Sequence, residues 1–168
     1  MANIVLIGMP GCGKSTVGVL LAKALGMAFL DTDIVLQARE GALLQSMIDA
    51  QGIDAFLHRE EEAILSVDAD NTVVATGGSA VYEQRAMRHL HEHGRVVYIA
   101  LAYEEIERRL SNLATRGVAL RPGQTLRSLY DERVPLYERE ADVTFRADGL
   151  DIEKTVAGLV RLLGLSKE

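Results

Sequence analysis

The chain has 168 residues, 48% hydrophobic and 25% charged, which is the size and composition of one soluble domain able to bury a core around a five-stranded sheet. Its formal net charge of -6 leaves no surplus of cations for nucleic-acid phosphates, and no apolar run approaches membrane-spanning length. The lone cysteine, Cys12, has no partner for an internal disulfide, so a reducing cytoplasm is the expected home, and no signal peptide is read at the N-terminus.

In chain order, Ile4–Ile7 reads as a strand, Ser15–Leu25 as a helix and Ala28–Leu30 as a short second strand. Helices come next at Ile34–Arg39, Leu43–Ala50 and Ile53–Val67, then a third strand at Thr72–Ala75 and a helix at Gln84–His93. Val96–Ala100 is the fourth strand and Tyr103–Leu113 the next helix. Thr125–Glu140 (helix), Asp142–Phe145 (strand) and Ile152–Leu163 (helix) complete the pattern. Strands alternating with helices predict a parallel sheet covered on both faces, an α/β fold of three layers in a single domain, residues 1–168. The stretch Asn112–Gln124 interrupts this order with Gly117, Pro122 and Gly123, and carries Arg116 and Arg121. A polar, arginine-bearing loop between helices is a candidate lid.

The first strand runs into Gly8-Met9-Pro10-Gly11-Cys12-Gly13-Lys14-Ser15, which fits the phosphate-loop pattern G-x-x-x-x-G-K-[ST] with strand before and helix after. Glycines let successive N–H groups converge on phosphate oxygens, and the helix beyond turns its positive end to the same place. Lys14 supplies a cation for the β- and γ-phosphates, Ser15 a hydroxyl for Mg²⁺, and Cys12 is read as a small residue whose backbone does the binding. The chain is therefore expected to bind a nucleoside triphosphate.

Residues beyond the loop separate the classes of phosphate-loop protein. There is no N/T-K-x-D element for guanine, and the third strand runs into Thr76-Gly77-Gly78-Ser79 where the larger ATPases have an acidic residue. Instead the second strand ends in Asp31-Thr32-Asp33, at the carboxyl edge where open α/β sheets bind ligands. One carboxylate can hold a metal-bound water and the other accept a proton from a substrate hydroxyl. Capping the next helix is the structural alternative for Asp33.

Taken together, Gly8–Thr16, Asp31-Thr32-Asp33, Thr76-Gly77-Gly78 and Arg133-Val134-Pro135-Leu136-Tyr137 resemble the shikimate kinase family over nearly the whole chain. That resemblance implies the nucleoside monophosphate kinase-like fold, with strand order 2-3-1-4-5, an acceptor-binding segment at about 34–62 and a lid at about 112–124. It implies phosphorylation of a hydroxyl on a small carboxylated metabolite, shikimate first, with ATP as co-substrate and Mg²⁺ as cofactor. ATP would meet Gly11, Cys12, Gly13, Lys14, Ser15, Thr16, Arg109, Arg116 and Arg121, and Mg²⁺ would meet Ser15 and Asp31. The acceptor would meet Asp33, Gly77, Gly78, Ser79 and Arg133. Lys14, Asp33 and Arg116 would be the catalytic residues, and no partner beyond the small molecules is expected, with the chain acting as a monomer.

Three departures from the family pattern fall in the acceptor half. Ser79 stands where a third glycine is usual, and Leu57 stands where the family's F-R-x-x-E places an arginine. The lid is longer, so either Arg116 or Arg121 could be its arginine. Arg59 lies two positions beyond Leu57, about 200° around a helix, and is read as solvated among Glu60, Glu61 and Glu62, themselves read as a solvated face. Of Arg108 and Arg109 only one can face the nucleotide. His89, His91 and His93 are spaced by two and cannot share a helical face, so no metal site is assigned to them. Pro135 is expected to interrupt the helix just beyond Arg133. The alternatives are a related kinase of another hydroxy or sugar acid, or a nucleotide-binding module without transfer activity, against which an intact Asp33 argues.

Overall fold

The computed structural model describes residues 2–111 and 118–165. Five parallel strands, β1 (Asn3–Ile7), β2 (Ala28–Asp31), β3 (Thr72–Ala75), β4 (Gly94–Ala100) and β5 (Val143–Arg146), form one sheet in the order β2-β3-β1-β4-β5. Around it lie α1 (Lys14–Leu25), α2 (Thr32–Glu40), α3 (Leu44–Gln51), α4 (Ile53–Leu65), α5 (Gln84–His93), α6 (Tyr103–Ser111), α7 (Leu126–Glu140) and α8 (Ile152–Leu162). The central strands β1 and β3 are buried along their whole length, which is why they read as unbroken apolar runs, while the edge strands β2 and β5 stay partly exposed.

The topology fixes where ligands bind. From β1 the chain crosses by α1 to β2 on one side, whereas from β3 it crosses by α5 to β4 on the other. The neighbouring carboxyl ends of β1 and β3 thus flank the switch point of the sheet, and a crevice opens there. Leu6 is in register with Ala75 across that boundary, so the loops leaving β1 and β3 emerge side by side.

Two apolar clusters support the crevice. The larger surrounds the sheet and includes Leu6, Ile7, Met9, Leu21, Val73, Ile99 and Leu129. The smaller joins α2, α3, α4 and the segment after residue 117 through Leu36, Met47, Phe56, Leu57, Ala63 and Ala119.

Several boundaries differ from expectation for identifiable reasons. α2 begins at Thr32 because Asp31, not Asp33, is its N-cap: Asp31 Oδ1 accepts from Asp33 N at 2.9 Å. α4 stops at Leu65, where Ser66 Oγ turns back to donate to Ala63 O at 2.6 Å. β4 starts two residues early, at Gly94, which pairs with Asn3. A short 3₁₀ turn at Ala80–Tyr82 had no sequence signal. Pro135 does not interrupt α7; the helix runs through it, because packing of Leu129, Arg133 and Tyr137 on one buried face outweighs the missing N–H.

Candidate active site

The phosphate loop links β1 to α1 with Gly8, Gly11 and Gly13 at φ of 150, 78 and 96°, conformations that side-chain-bearing residues avoid. α2, α7 and α8 are capped by the side chains of Asp31, Thr125 and Asp151, but α1 begins at Gly13 with no side-chain cap. Its first N–H groups face the loop with the helix dipole behind them, an anion site by construction. Lys14 is buried and its Nζ donates to the carbonyls of Gly8 at 2.8 Å and Met9 at 2.9 Å, so its charge stays over the loop.

Next to the loop, Ser15 Oγ donates to Asp31 Oδ2 at 2.6 Å. A hydroxyl and a carboxylate at this spacing, beside a phosphate cradle, are hard oxygen donors of the kind Mg²⁺ takes, so these residues fit the ion. With Asp31 occupied as cap and Ser15 partner, Asp33 in the first turn of α2 is left to point into the cavity. Burial is the main reason its carboxyl is raised to about 6; the negative charge of Asp31 adds to this, and Lys14 opposes it.

The loop, Asp33 and the β3 turn line one cavity of about 1160 Å³, while Asp31 stands behind Ser15 and off its wall. Thr76 ties the turn to β1 by donating Oγ1 to Leu6 O at 2.9 Å, and Gly77 N donates to Thr32 Oγ1 at 3.3 Å. Gly78 must be glycine for space: a Cβ there would stand 2.8 Å from Pro10 Cδ and 3.0 Å from Arg133 Nη1. Arg133 is 1% exposed; its Nε donates to the Tyr82 hydroxyl at 3.2 Å and its Nη2 to Ala119 O at 3.4 Å. One turn on, the Tyr137 hydroxyl donates to Gly78 O at 2.6 Å.

Of the residues singled out from sequence, the structure brings Gly11, Cys12, Gly13, Lys14, Ser15, Thr16, Asp33, Gly77, Gly78, Ser79, Arg109 and Arg133 to the cavity wall. Arg109 leans on the loop, its Nη1 3.4 Å from Gly11 O and its Nε held by Glu105 at 2.8 Å. Arg108 also reaches the wall but is largely solvent-exposed and paired with Glu105. Arg116 lies outside the described residues. Arg121 is not at the nucleotide end at all: its Nη2 pairs with Asp54 at 3.1 Å, at the start of α4, because the segment after residue 117 lies on the acceptor side, anchored by buried Ala119.

Three readings of α4 are corrected. Glu60 and Glu61 are buried, not solvated, because α4 packs against both α2 and α5. Glu60 accepts from Ser79 Oγ, and Glu61 faces Arg85 at 3.4 Å. Arg59 is not free among the glutamates but pairs with Glu40. Leu57 does not line the cavity; it lies in the small cluster beneath, while its neighbour Phe56 forms the wall. Sequence reasoning missed Phe56, Ala147, Leu150, Asp151, Ile152, Glu153 and Thr155, which also line the cavity, and Tyr82, which holds Arg133 from behind its wall. The i, i+4 spacing of Phe56 and Glu60 was the available signal for α4. Among the described residues the only three-member cluster of metal-type ligands is His58, Glu61 and Glu62, and Arg85 already neutralises its carboxylates.

A family model described as shikimate kinase matches residues 10–163. The shikimate kinase of Pseudomonas fluorescens (strain Pf0-1) is 40% identical over 151 residues, covering 88% of each chain. That of Paracidovorax citrulli (strain AAC00-1) is 39% identical over 171 residues, covering 99% of this chain and 92% of the relative. Among solved structures, the shikimate kinase from Acinetobacter baumannii in complex with shikimate superposes with a TM-score of 0.86 at 30% identity, over 97% of this chain and 93% of that one. Sheet order, phosphate loop and these similarities agree: the chain belongs to the shikimate kinase family of small-molecule kinases.

Proposed function

We propose that the chain transfers the γ-phosphoryl group of ATP to a hydroxyl of shikimate. The observation that carries this reading is the single cavity in which Lys14 and the phosphate loop stand at one end and Asp33, Gly78 and Arg133 at the other. Arg133 and the Gly78 N–H would hold the acceptor carboxylate, which leaves the reacting hydroxyl toward Asp33. That hydroxyl attacks the γ-phosphorus, the bond from phosphorus to the β,γ-bridging oxygen breaks, and the hydroxyl proton passes to Asp33. Lys14 spreads its charge over the transferring group, and Arg109 lies against the nucleotide. Arg116 is the lid residue assigned to the same phosphoryl oxygens. Ser15 and Asp31 would hold Mg²⁺, which when bound neutralises charge on the β- and γ-phosphates. Closure of the lid, about 112–124, whose Ala119 lies on the cavity wall, would exclude water from the reacting centre.

Ser79 on the cavity wall, together with the want of an arginine at position 57, favours a second reading, in which the acceptor is another small hydroxylated acid. An acceptor-dependent ADP-release assay with shikimate and a panel of hydroxy and sugar acids separates the two. The first reading expects shikimate to give the highest kcat/KM; another acid surpassing it would overturn that choice, and ADP release independent of any acid would overturn both.

A further inference from the structure

Glu60 is 2% exposed and sits behind the turn that faces the acceptor. Its Oε2 accepts from Ser79 Oγ, whereas Oε1 is the buried side-chain oxygen that has no hydrogen-bond partner among the described residues. Oε1 abuts Gly77: a Cβ on that glycine would collide with it and would stand 2.7 Å from Asp33 Oδ1. Glu60 and Asp33 therefore border the same small space over Gly77. No guanidinium reaches Glu60 from its own helix, since Leu57 is in the small cluster and Arg59 is paired with Glu40.

A buried carboxylate with one oxygen unpartnered is costly, and the neutral acid is far less so. The surroundings act accordingly. Burial raises Glu60 to about 7; the Ser79 hydrogen bond lowers it, Asp33 on α2 raises it, Arg133 on α7 lowers it, and Glu83 raises it.

We propose that Glu60, tethered to Ser79, is a positioning residue of the acceptor half: as a neutral acid it holds the Gly77–Ser79 turn, and its ionisation weakens acceptor binding without disturbing the nucleotide. The ionised form would set a second negative charge beside Asp33, against the carboxylate that Arg133 must hold. The inference deepens the kinase reading above and rests on it.

The test measures acceptor and MgATP KM from pH 6 to pH 8 in the wild type, Glu60→Gln and Ser79→Ala, with shikimate as acceptor. In the wild type the acceptor KM should rise about tenfold over this range, as for an ionised form that binds poorly. Glu60→Gln should flatten the rise, and Ser79→Ala should move it to higher pH by removing the hydrogen bond that stabilises the ionised form. MgATP KM should follow neither change. An unaltered rise in Glu60→Gln overturns the proposal; if that variant does not fold, an unmoved rise in Ser79→Ala does so. A second measurement needs no acceptor: the backbone amide resonances of Gly77, Gly78 and Ser79 should show a titration step with a midpoint near 7 in the wild type, distinct from that of Asp33 near 6, and lose this step in Glu60→Gln. If shikimate is not phosphorylated at any pH, the acceptor reading fails while these resonances still decide the role of Glu60, and wild-type signals without the step near 7 refute it.

Discussion

The nucleotide half of the cavity is made from consecutive backbone, whereas the acceptor half is made from side chains that arrive from α2, α4, the β3 turn and α7. The first rests on the large cluster around the sheet, through Met9, Val17 and Leu21; the second rests on both, its α2 and α4 side chains on the small cluster of Leu36, Met47, Phe56 and Leu57 and its α7 side chains on the large one through Leu129 and Tyr137. Binding built on N–H groups depends on glycine positions and little else, so a change at one glycine disturbs it as a whole. Binding built on separate side chains can be altered one residue at a time. Leu57 and Ser79, two of the departures from the family pattern, both fall in that second half.

The sharpest way to break the comparison is at Lys14. Lys14→Ala should leave the circular dichroism spectrum unchanged and lower kcat by roughly three powers of ten or more, since its charge acts on the transferring group. A folded variant that keeps most of its turnover would take the phosphate loop out of the mechanism.

Next in size is the carboxylate pair, which straddles the boundary between the halves. Asp33→Asn should bind MgATP normally by calorimetry and lose roughly two to four powers of ten in kcat, as for loss of a general base. Asp31→Asn should keep helix α2 capped, because asparagine caps as well as aspartate, but should raise the Mg²⁺ concentration needed for half-maximal activity. Equal loss of MgATP binding in both variants would erase the division between them.

Stability against pH sharpens the same contrast from the acceptor side. Burial raises both Glu60, to about 7, and Asp33, to about 6, above their unfolded values. Between about pH 4.5 and pH 7 the unfolded chain has released protons that the folded chain still holds, so stability falls as pH rises through this window. Thermal midpoints of Glu60→Gln should fall less steeply over that range than those of the wild type; parallel curves would count against a buried neutral Glu60.

The smallest effect concerns Arg121. Its pair with Asp54 is exposed on both sides, so Arg121→Ala should cost about 0–1 kcal/mol and leave MgATP KM unchanged. A marked rise in MgATP KM would return this arginine to the nucleotide.

The same division governs how much was legible in the sequence. Gly8–Ser15 is contiguous, and its spacing carries its geometry, so the strand-loop-helix geometry around it and the strand order implied by the family resemblance match the structure. Asp33 was singled out, but its freedom depends on Asp31 taking the cap, a choice between neighbours that only the hydrogen bond to Asp33 N decides. Glu60 and Glu61 were misread because a run of like charges gives no helical register until the packing partners of α4 are known. Arg121 was misplaced because nothing in a loop sequence tells which side of a crevice it lies on. The family spacing at Arg133–Tyr137 marked α7, while the passage of the helix through Pro135 comes from tertiary packing that no local propensity reports.

That passage has a mechanical consequence. Arg133 and Tyr137 are one turn apart on the same face of an unbroken helix, and Tyr137 grips the carbonyl of the glycine whose N–H would share the acceptor with Arg133. The two jaws of the proposed clamp would thus be tied to a single rod, and a shift of that rod would carry both together and keep the gap between them.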